Sequence, residues 1–182
     1  GEEYLSCLNT MSLTEAASAA DAYMKAWAST IWIADEKDMP PPPLCLEDMY
    51  LVHKAMQDHA LADSAFGGLA GYKLGAVGVI PGEAAISAPL FKRFVVDSPG
   101  NEVSAAAINI HNLEAEVGVI MAEDLGPKPD GTPYSVDECW GAVESVLPVI
   151  EMCGRRSTAE CIAKQPPLGK LADALMAGGV VL

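Results

Sequence analysis

Two glutamates one residue apart, Glu114 and Glu116, lie in the segment 113–121 (LEAEVGVIM), where apolar residues alternate with other types. Side chains at positions i and i+2 of a strand point to the same face, so these carboxylates would lie about 6–7 Å apart. Like charges at that distance favour either a cation between them or a solvent-exposed face. The pattern therefore indicates either a site for a hard divalent cation such as Mg²⁺ or a solvated strand face.

Two further residues stand in unexpectedly apolar surroundings. Glu151 ends the strand-like run 146–152 (VLPVIEM), which makes it either a third candidate metal ligand or a solvated acid at a strand end. Lys73 is the single cation in the glycine-rich run 71–75 (GYKLG). Beside carboxylates it could anchor an acidic substrate or transfer a proton, and the alternative is an exposed lysine.

Three other polar residues are weaker candidates. Arg155 and Arg156 are adjacent, and a guanidinium can bind a carboxylate bidentately, so Arg155 in particular is a candidate substrate-binding residue. His111, three residues before Glu114, could act as a base or a ligand. The alternatives are surface arginines and a structural histidine.

Several other chemistries lack support in the sequence. The glycines match neither the dinucleotide-binding pattern nor a P-loop, and no serine has the context of a nucleophile elbow. The five cysteines are odd in number and contain no C-x-x-C, which predicts free thiols in a reducing compartment. The three histidines do not cluster with the cysteines, so a zinc site of cysteine and histidine is not predicted.

Length and charge narrow the class of protein. The 182 residues are 51% hydrophobic, which excludes intrinsic disorder. Lysine plus arginine number 11 and aspartate plus glutamate 25, and a net charge of -14 argues against binding nucleic acid. No apolar run approaches the roughly 20 residues of a membrane span. We therefore expect a soluble protein of the cytoplasm or of an organelle matrix or stroma.

The predicted elements begin with helices and continue with strands. Helices are expected over residues 13–33, with a capping box of Ser12 and Glu15, and over 46–61, with the prolines 40–43 as a rigid spacer. Later predictions are strands at 72–79, 94–96, 106–110, 113–121 and 146–152, and helices at 136–146 and 168–176. A loop is expected at 126–134, an irregular stretch at 154–167 and a final apolar run at 178–182. This order predicts an α+β fold with a helical segment over 1–66 and a β-rich domain over 67–182.

The motifs in their order resemble a known family. The sequence resembles the 2-oxopent-4-enoate hydratase and 4-oxalocrotonate decarboxylase branch of the fumarylacetoacetate hydrolase superfamily. The similar segments are 46–56 (LEDMYLVHKAM), 67–75 (GGLAGYKLG), 113–125 (LEAEVGVIMAEDL), 144–156 (ESVLPVIEMCGRR) and 171–182 (LADALMAGGVVL). The resemblance implies a helical N-terminal segment followed by a partial mixed β-sandwich roll. It also implies Mg²⁺ or Mn²⁺ held by Glu114, Glu116 and Glu151, with Lys73 as the active-site lysine and a 2-oxo or 2-hydroxydienoic acid as substrate.

The sequence also departs from the family pattern. Leu90 and Lys92 stand where relatives carry an acid and a glycine, and residues 172–176 (ADALM) lack the amide and hydroxyl of the family's ADNAS. Relatives also continue beyond the position of Leu182, so we expect further residues, a protein partner or a second copy to cover exposed sheet edges.

Two hypotheses follow from the resemblance and these departures. The first is a metal-dependent hydro-lyase or decarboxylase of 2-oxo acids. The second is an inactive descendant that serves as an accessory subunit of a larger assembly. A third, less favoured hypothesis is a stand-alone cation-binding module.

Overall fold

A computed structural model describes residues 10–75, 85–97 and 101–182. Its helices are α1 (Leu13–Ser29), α2 (Leu46–Ala62), α3 (Ala105–Ile108), α4 (Val136–Gly141), α5 (Ala159–Lys164) and α6 (Pro167–Ala172). Its strands are β1 (Leu69–Gly75), β2 (Ile86–Phe91), β3 (Val95–Val96), β4 (Ile110–Met121), β5 (Val143–Gly154) and β6 (Ala177–Val181). The second part of the predicted strand 72–79, like Cys7, lies outside the described residues.

The start of α1 is the one that its sequence predicts. The Ser12 side chain accepts a hydrogen bond from the Glu15 backbone, and the Glu15 carboxylate accepts one from the Ser12 backbone. The helix ends at Ser29 rather than at residue 33, because Thr30 takes a left-handed conformation with φ of 56°. Ile33 is then free to pair with the chain after β5, where its N–H donates to the carbonyl of Arg156 at 3.0 Å.

The second helix follows the proline spacer, as predicted. Its entry is held by the buried carboxylate of Asp48, which accepts hydrogen bonds from the backbone N–H of Met11 at 2.7 Å and of Leu44 at 3.2 Å. Cys45 at its N-cap takes part in a disulfide, so the prediction of free thiols is wrong for this residue. Cys139, Cys153 and Cys161 are free. A disulfide is more typical of an oxidising compartment, and the reducing compartment stays a prediction.

The core lies where the two long helices meet β2. Trp27 of α1 stacks on Phe94 with ring centroids 4.4 Å apart, and it meets Phe66 and Phe91 edge to face. This core draws residues from both parts of the predicted division at residue 66. The division itself stays a prediction.

The strands form two sheets. β1 and β2 pair antiparallel, and the second sheet has the order β3-β6-β5-β4, with β3 and β6 parallel and the other pairs antiparallel. Helices with mixed sheets confirm the predicted α+β class. Among the described helices, none is long and apolar enough to cross a membrane.

Further local predictions were wrong. Residues 106–110, expected as a strand, form α3 and a left-handed turn at Asn109, whose amide donates to the carbonyls of Arg155 and Ser157. The helix expected at 136–146 ends at Gly141, since residues from Val143 onward pair with β4. The stretch expected to be irregular contains α5, which is capped by the Thr158 hydroxyl.

The hairpin of β4 and β5 has two different faces. Directly paired residues share a face, and Glu114 lies opposite Glu151 while Val117 lies opposite Pro148. The face away from the glutamates, called the outer face below, carries a run of exposed apolar side chains: Leu113, Ala115, Val117, Val119, Val146, Pro148 and Ile150. Leu113 and Val117 are 62% and 71% exposed. β4 is also an edge strand of its sheet.

Buried His53 should make stability depend on pH. Its Nε2 lies 3.0 Å from the carbonyl of Leu171, and burial lowers its pKa to about 4, although hydrogen bonds to backbone oppose the shift. Because the folded pKa is below the usual 6.5, stability is full above pH 6.5 and falls as the pH drops towards 4. The expected loss at pH 5 is about 2 kcal/mol.

Thermal unfolding between pH 7.5 and 4.5 would measure this loss. In His53→Gln, whose amide can donate to the same carbonyl, we expect a shallower decline of the melting temperature with pH. Parallel declines in the two proteins would show that His53 does not cause the pH dependence.

Candidate metal centre

Glu114 and Glu151 meet across neighbouring strands. They are direct partners in the β4–β5 register, so their side chains project from the same face of the sheet. Glu151 is buried and Glu114 is half-buried. The Sγ atom of buried Cys153 completes a group in which one ligand atom of each residue lies within 4.8 Å of the others. Two carboxylates and a thiol so placed can hold a divalent cation.

Lys73 reaches the same group from the other sheet. Its Nζ atom donates to Oε1 of Glu151 at 2.6 Å, and only 19% of the Lys73 side chain is exposed. The contact ties β1 to β5, which are 78 residues apart in the chain. Lys73 is therefore not an exposed lysine, and Glu151 is not a solvated acid at a strand end. Both of these alternative interpretations are wrong.

Asn112 orients the second carboxylate. Its Nδ2 atom donates to Oε1 of Glu114 at 2.9 Å, along the same strand. One ammonium and one amide thus face two carboxylates. The group keeps a net negative charge when both acids are ionised, which favours a bound cation.

Burial and nearby charges shift the pKa values of two more groups, the Cys153 thiol and the His111 imidazole. Burial raises the pKa of the Cys153 thiol to about 12, and the charges of Glu151 and Glu114 add to the shift. The pKa of His111 is lowered, first by its partial burial and then by the charge of Arg155, while Glu114 opposes the shift. The thiol is therefore protonated at neutral pH while no metal is bound.

Not every predicted residue joins the group. Glu116 is exposed, pairs with Val149 in the register and is not in the set of three ligand atoms that lie within 4.8 Å of one another. Its role as a metal ligand stays a prediction. Arg155 is half-buried, and its Nε has no hydrogen-bond partner among the described residues, so its role towards substrate also stays a prediction.

Arg156 does bind a carboxylate, but not one that a substrate could supply. Its guanidinium is fully buried against Asp173, so the interpretation of Arg156 as a surface or substrate-binding arginine is wrong. Sequence reasoning missed Cys153 because the cysteines were judged by their distance from histidines. The available signal was its spacing of two residues from Glu151 on a predicted strand.

The fold belongs to a known structural class. It is the fumarylacetoacetate hydrolase type of α+β fold, with a helical N-terminal segment and a partial β-roll, as predicted. Two solved structures of 4-oxalocrotonate decarboxylase from Pseudomonas putida G7 match it. The one complexed with magnesium and adipate has a TM-score of 0.73 and 20% identity. The one complexed with calcium and acetate has a TM-score of 0.70 and 19% identity.

The two matches extend over most of this chain but not over the whole of theirs. They cover 95% of this chain and 64% and 63% of the decarboxylase chains, so the chain spans less than two thirds of their length. No protein-family model matches the sequence, and no curated protein matches it. At this identity the likeness shows the fold alone.

The donor set fits a divalent ion of the kind those structures contain. Glu114 and Glu151 provide two oxygen ligands on adjacent strands. Asn112 donates to one oxygen of Glu114, and Lys73 donates to one oxygen of Glu151. Carboxylate oxygens are the ligands that magnesium, calcium and manganese prefer.

Proposed function

We propose that this chain is a divalent-metal-dependent lyase that hydrates or decarboxylates a 2-oxo or 2-hydroxydienoic acid. The observation that carries the proposal is the pair Glu114 and Glu151, opposed across two strands, with Lys73 on Glu151. The fold of a decarboxylase solved with magnesium and a dicarboxylic acid supports it.

Glu114 and Glu151 would hold a divalent ion; the family resemblance implies Mg²⁺ or Mn²⁺, with Glu116 as the third carboxylate. A bound divalent ion supplies Lewis-acid polarisation of the 2-oxo group of the substrate. The carboxylates orient that ion, and the burial of Glu151 lowers the local dielectric, which strengthens its interaction with a cation.

Lys73 would handle the substrate side of the site. Its ammonium is mostly buried and lies on a carboxylate, so it can bind the acidic group of a substrate or hold a proton at Nζ for transfer to carbon. Arg155, whose Nε lacks a partner among the described residues, is the second candidate for binding the substrate carboxylate. Leu90 on β2 stands where relatives carry an acid, so its side chain cannot transfer a proton. We therefore assign proton transfer mainly to Lys73.

Turnover assays test the proposal directly. Purified protein with Mg²⁺ or Mn²⁺ should consume 2-hydroxypenta-2,4-dienoate or 4-oxalocrotonate. The loss of substrate is measured by its ultraviolet absorbance. Glu114→Gln and Glu151→Gln should each lower turnover by about 100-fold or more, because each removes a ligand charge. Glu144→Gln, an exposed acid at the far end of β5, is the matched control and should keep full activity.

A second candidate function rests on the outer face of the β4–β5 hairpin. An exposed apolar face beside an open edge strand is typical of a surface that another chain covers. In this alternative the chain is an inactive accessory subunit of a larger assembly, and a partner protein or a second copy covers the outer face. No turnover of either acid by protein that binds the ion would contradict the enzymatic proposal and favour this one.

A further inference from the structure

We propose that Cys153 is a third ligand to the ion held by Glu114 and Glu151, so that the site prefers thiophilic divalent ions such as Zn²⁺ and Co²⁺ to Mg²⁺. The inference rests on the metal site of the proposed function and concerns which ion occupies it.

The placement of Cys153 carries the proposal. It follows Glu151 by two residues on β5, and its Sγ lies within 4.8 Å of a carboxylate oxygen of both Glu151 and Glu114. The residue is only 5% exposed, so the thiol faces the carboxylates rather than solvent. Glu116, the alternative third ligand, is exposed, and its register partner is Val149 rather than a residue of the group.

The chemistry of the three donors points to a soft or borderline ion. Thiolate ligands select zinc and similar metals, whereas Mg²⁺ demands near-octahedral oxygen coordination and retains its water. Three protein ligands of mixed oxygen and sulfur type leave a fourth tetrahedral position open, as in catalytic zinc sites. When the metal–sulfur bond forms, the thiol S–H bond breaks and its proton passes to solvent, with no change of oxidation state.

Lys73 is compatible with this arrangement. It contacts Oε1 of Glu151, while Asn112 contacts Oε1 of Glu114. Each carboxylate has a second oxygen that can turn to the ion. The lysine therefore need not leave for the ion to enter.

Cobalt spectroscopy tests the proposal without any activity. Titration of the full chain with Co²⁺ should produce a thiolate-to-metal charge-transfer band in the near ultraviolet. Cys153→Ser and Cys153→Ala should each abolish the band and weaken Zn²⁺ binding by about 100-fold in calorimetry, while Mg²⁺ affinity changes less than about 3-fold. Cys139→Ser, a half-buried free thiol on α4, is the control and should keep the band.

The outcomes separate this proposal from the one it rests on. A band that persists in both Cys153 variants, or equal Zn²⁺ affinity with and without Cys153, would overturn the thiol ligand. If Glu114→Gln still abolishes ion binding in that case, the carboxylate site stands and only the choice of third ligand is wrong. If no ion binds the unmodified chain above the level of Glu114→Gln, the metal site itself fails.

Discussion

Asp173→Asn should lower the free energy of unfolding by about 3–5 kcal/mol, because it leaves the buried guanidinium of Arg156 without a counter-charge. Both side chains of this ion pair are fully buried. Asp173 also accepts from the backbone N–H of Arg156 at 2.8 Å. The guanidinium donates to the carbonyls of Ala177 and Asp173, both at 2.6 Å, and lies 4.1 Å from the centroid of the Trp27 ring.

This network ties three parts of the fold together. Arg156 follows β5, Ala177 begins β6 and Trp27 belongs to α1, so one side chain joins the strand that carries Glu151 to the helical core. Loss of this network should therefore also disturb the candidate site, because β5 carries Glu151. Urea unfolding at pH 7 gives the free energy difference.

A double variant separates the charge from the packing. Arg156→Met with Asp173→Leu removes both charges, and its loss should be smaller than that of Asp173→Asn alone. Asp58→Asn, which breaks the exposed pair of Lys54 and Asp58, should change stability by only about 0.5 kcal/mol. If Asp173→Asn falls within about 1 kcal/mol of the unmodified protein, the buried pair does not stabilise the fold as described.

Lys73→Met should change turnover and metal affinity in opposite directions. Turnover should fall by about 10²–10⁴-fold, because the ammonium that binds or protonates substrate is gone. Affinity for Mn²⁺ should rise by about 10-fold, because the variant removes a positive charge 2.6 Å from the Glu151 oxygen and so relieves repulsion of the ion. Steady-state kinetics and calorimetry measure the two quantities.

The opposite signs distinguish a chemical role from a merely structural one. Were Lys73 needed only to hold Glu151 in place, affinity and turnover would fall together. Lys54→Met removes an exposed lysine on α2 and should alter neither quantity. The affinity measurement also stands if the chain has no turnover at all.

Local signals predicted the parts of the fold that depend on neighbouring residues. The capping box of Ser12 and Glu15 set the start of α1, and the alternation around Glu114 and Glu116 set β4. The ends of elements were less predictable, because distant contacts decide them. α1 ends early where Ile33 turns to pair near Arg156, and β5 begins early where Val143 pairs with Met121.

The sequence predicted which acids belong to the candidate site, but it did not predict how the strands that carry them are paired. Sequence spacing indicated Glu114 and Glu116, and apolar surroundings indicated Glu151 and Lys73. Only the pairing of β4 with β5 places Glu114 opposite Glu151. Cys153 and the buried pair of Arg156 and Asp173 depend on contacts between segments. A single residue type carries no information about such contacts until the strands are aligned.

The most direct test of the metal site is an anomalous difference map from crystals of the full chain grown with Co²⁺, an ion that accepts both oxygen and sulfur ligands. The structure predicts a single strong peak between the carboxylates of Glu114 and Glu151, about 2.0–2.3 Å from an oxygen of each. A map with no peak there, or with cobalt only on surface acids or histidines, would contradict the account.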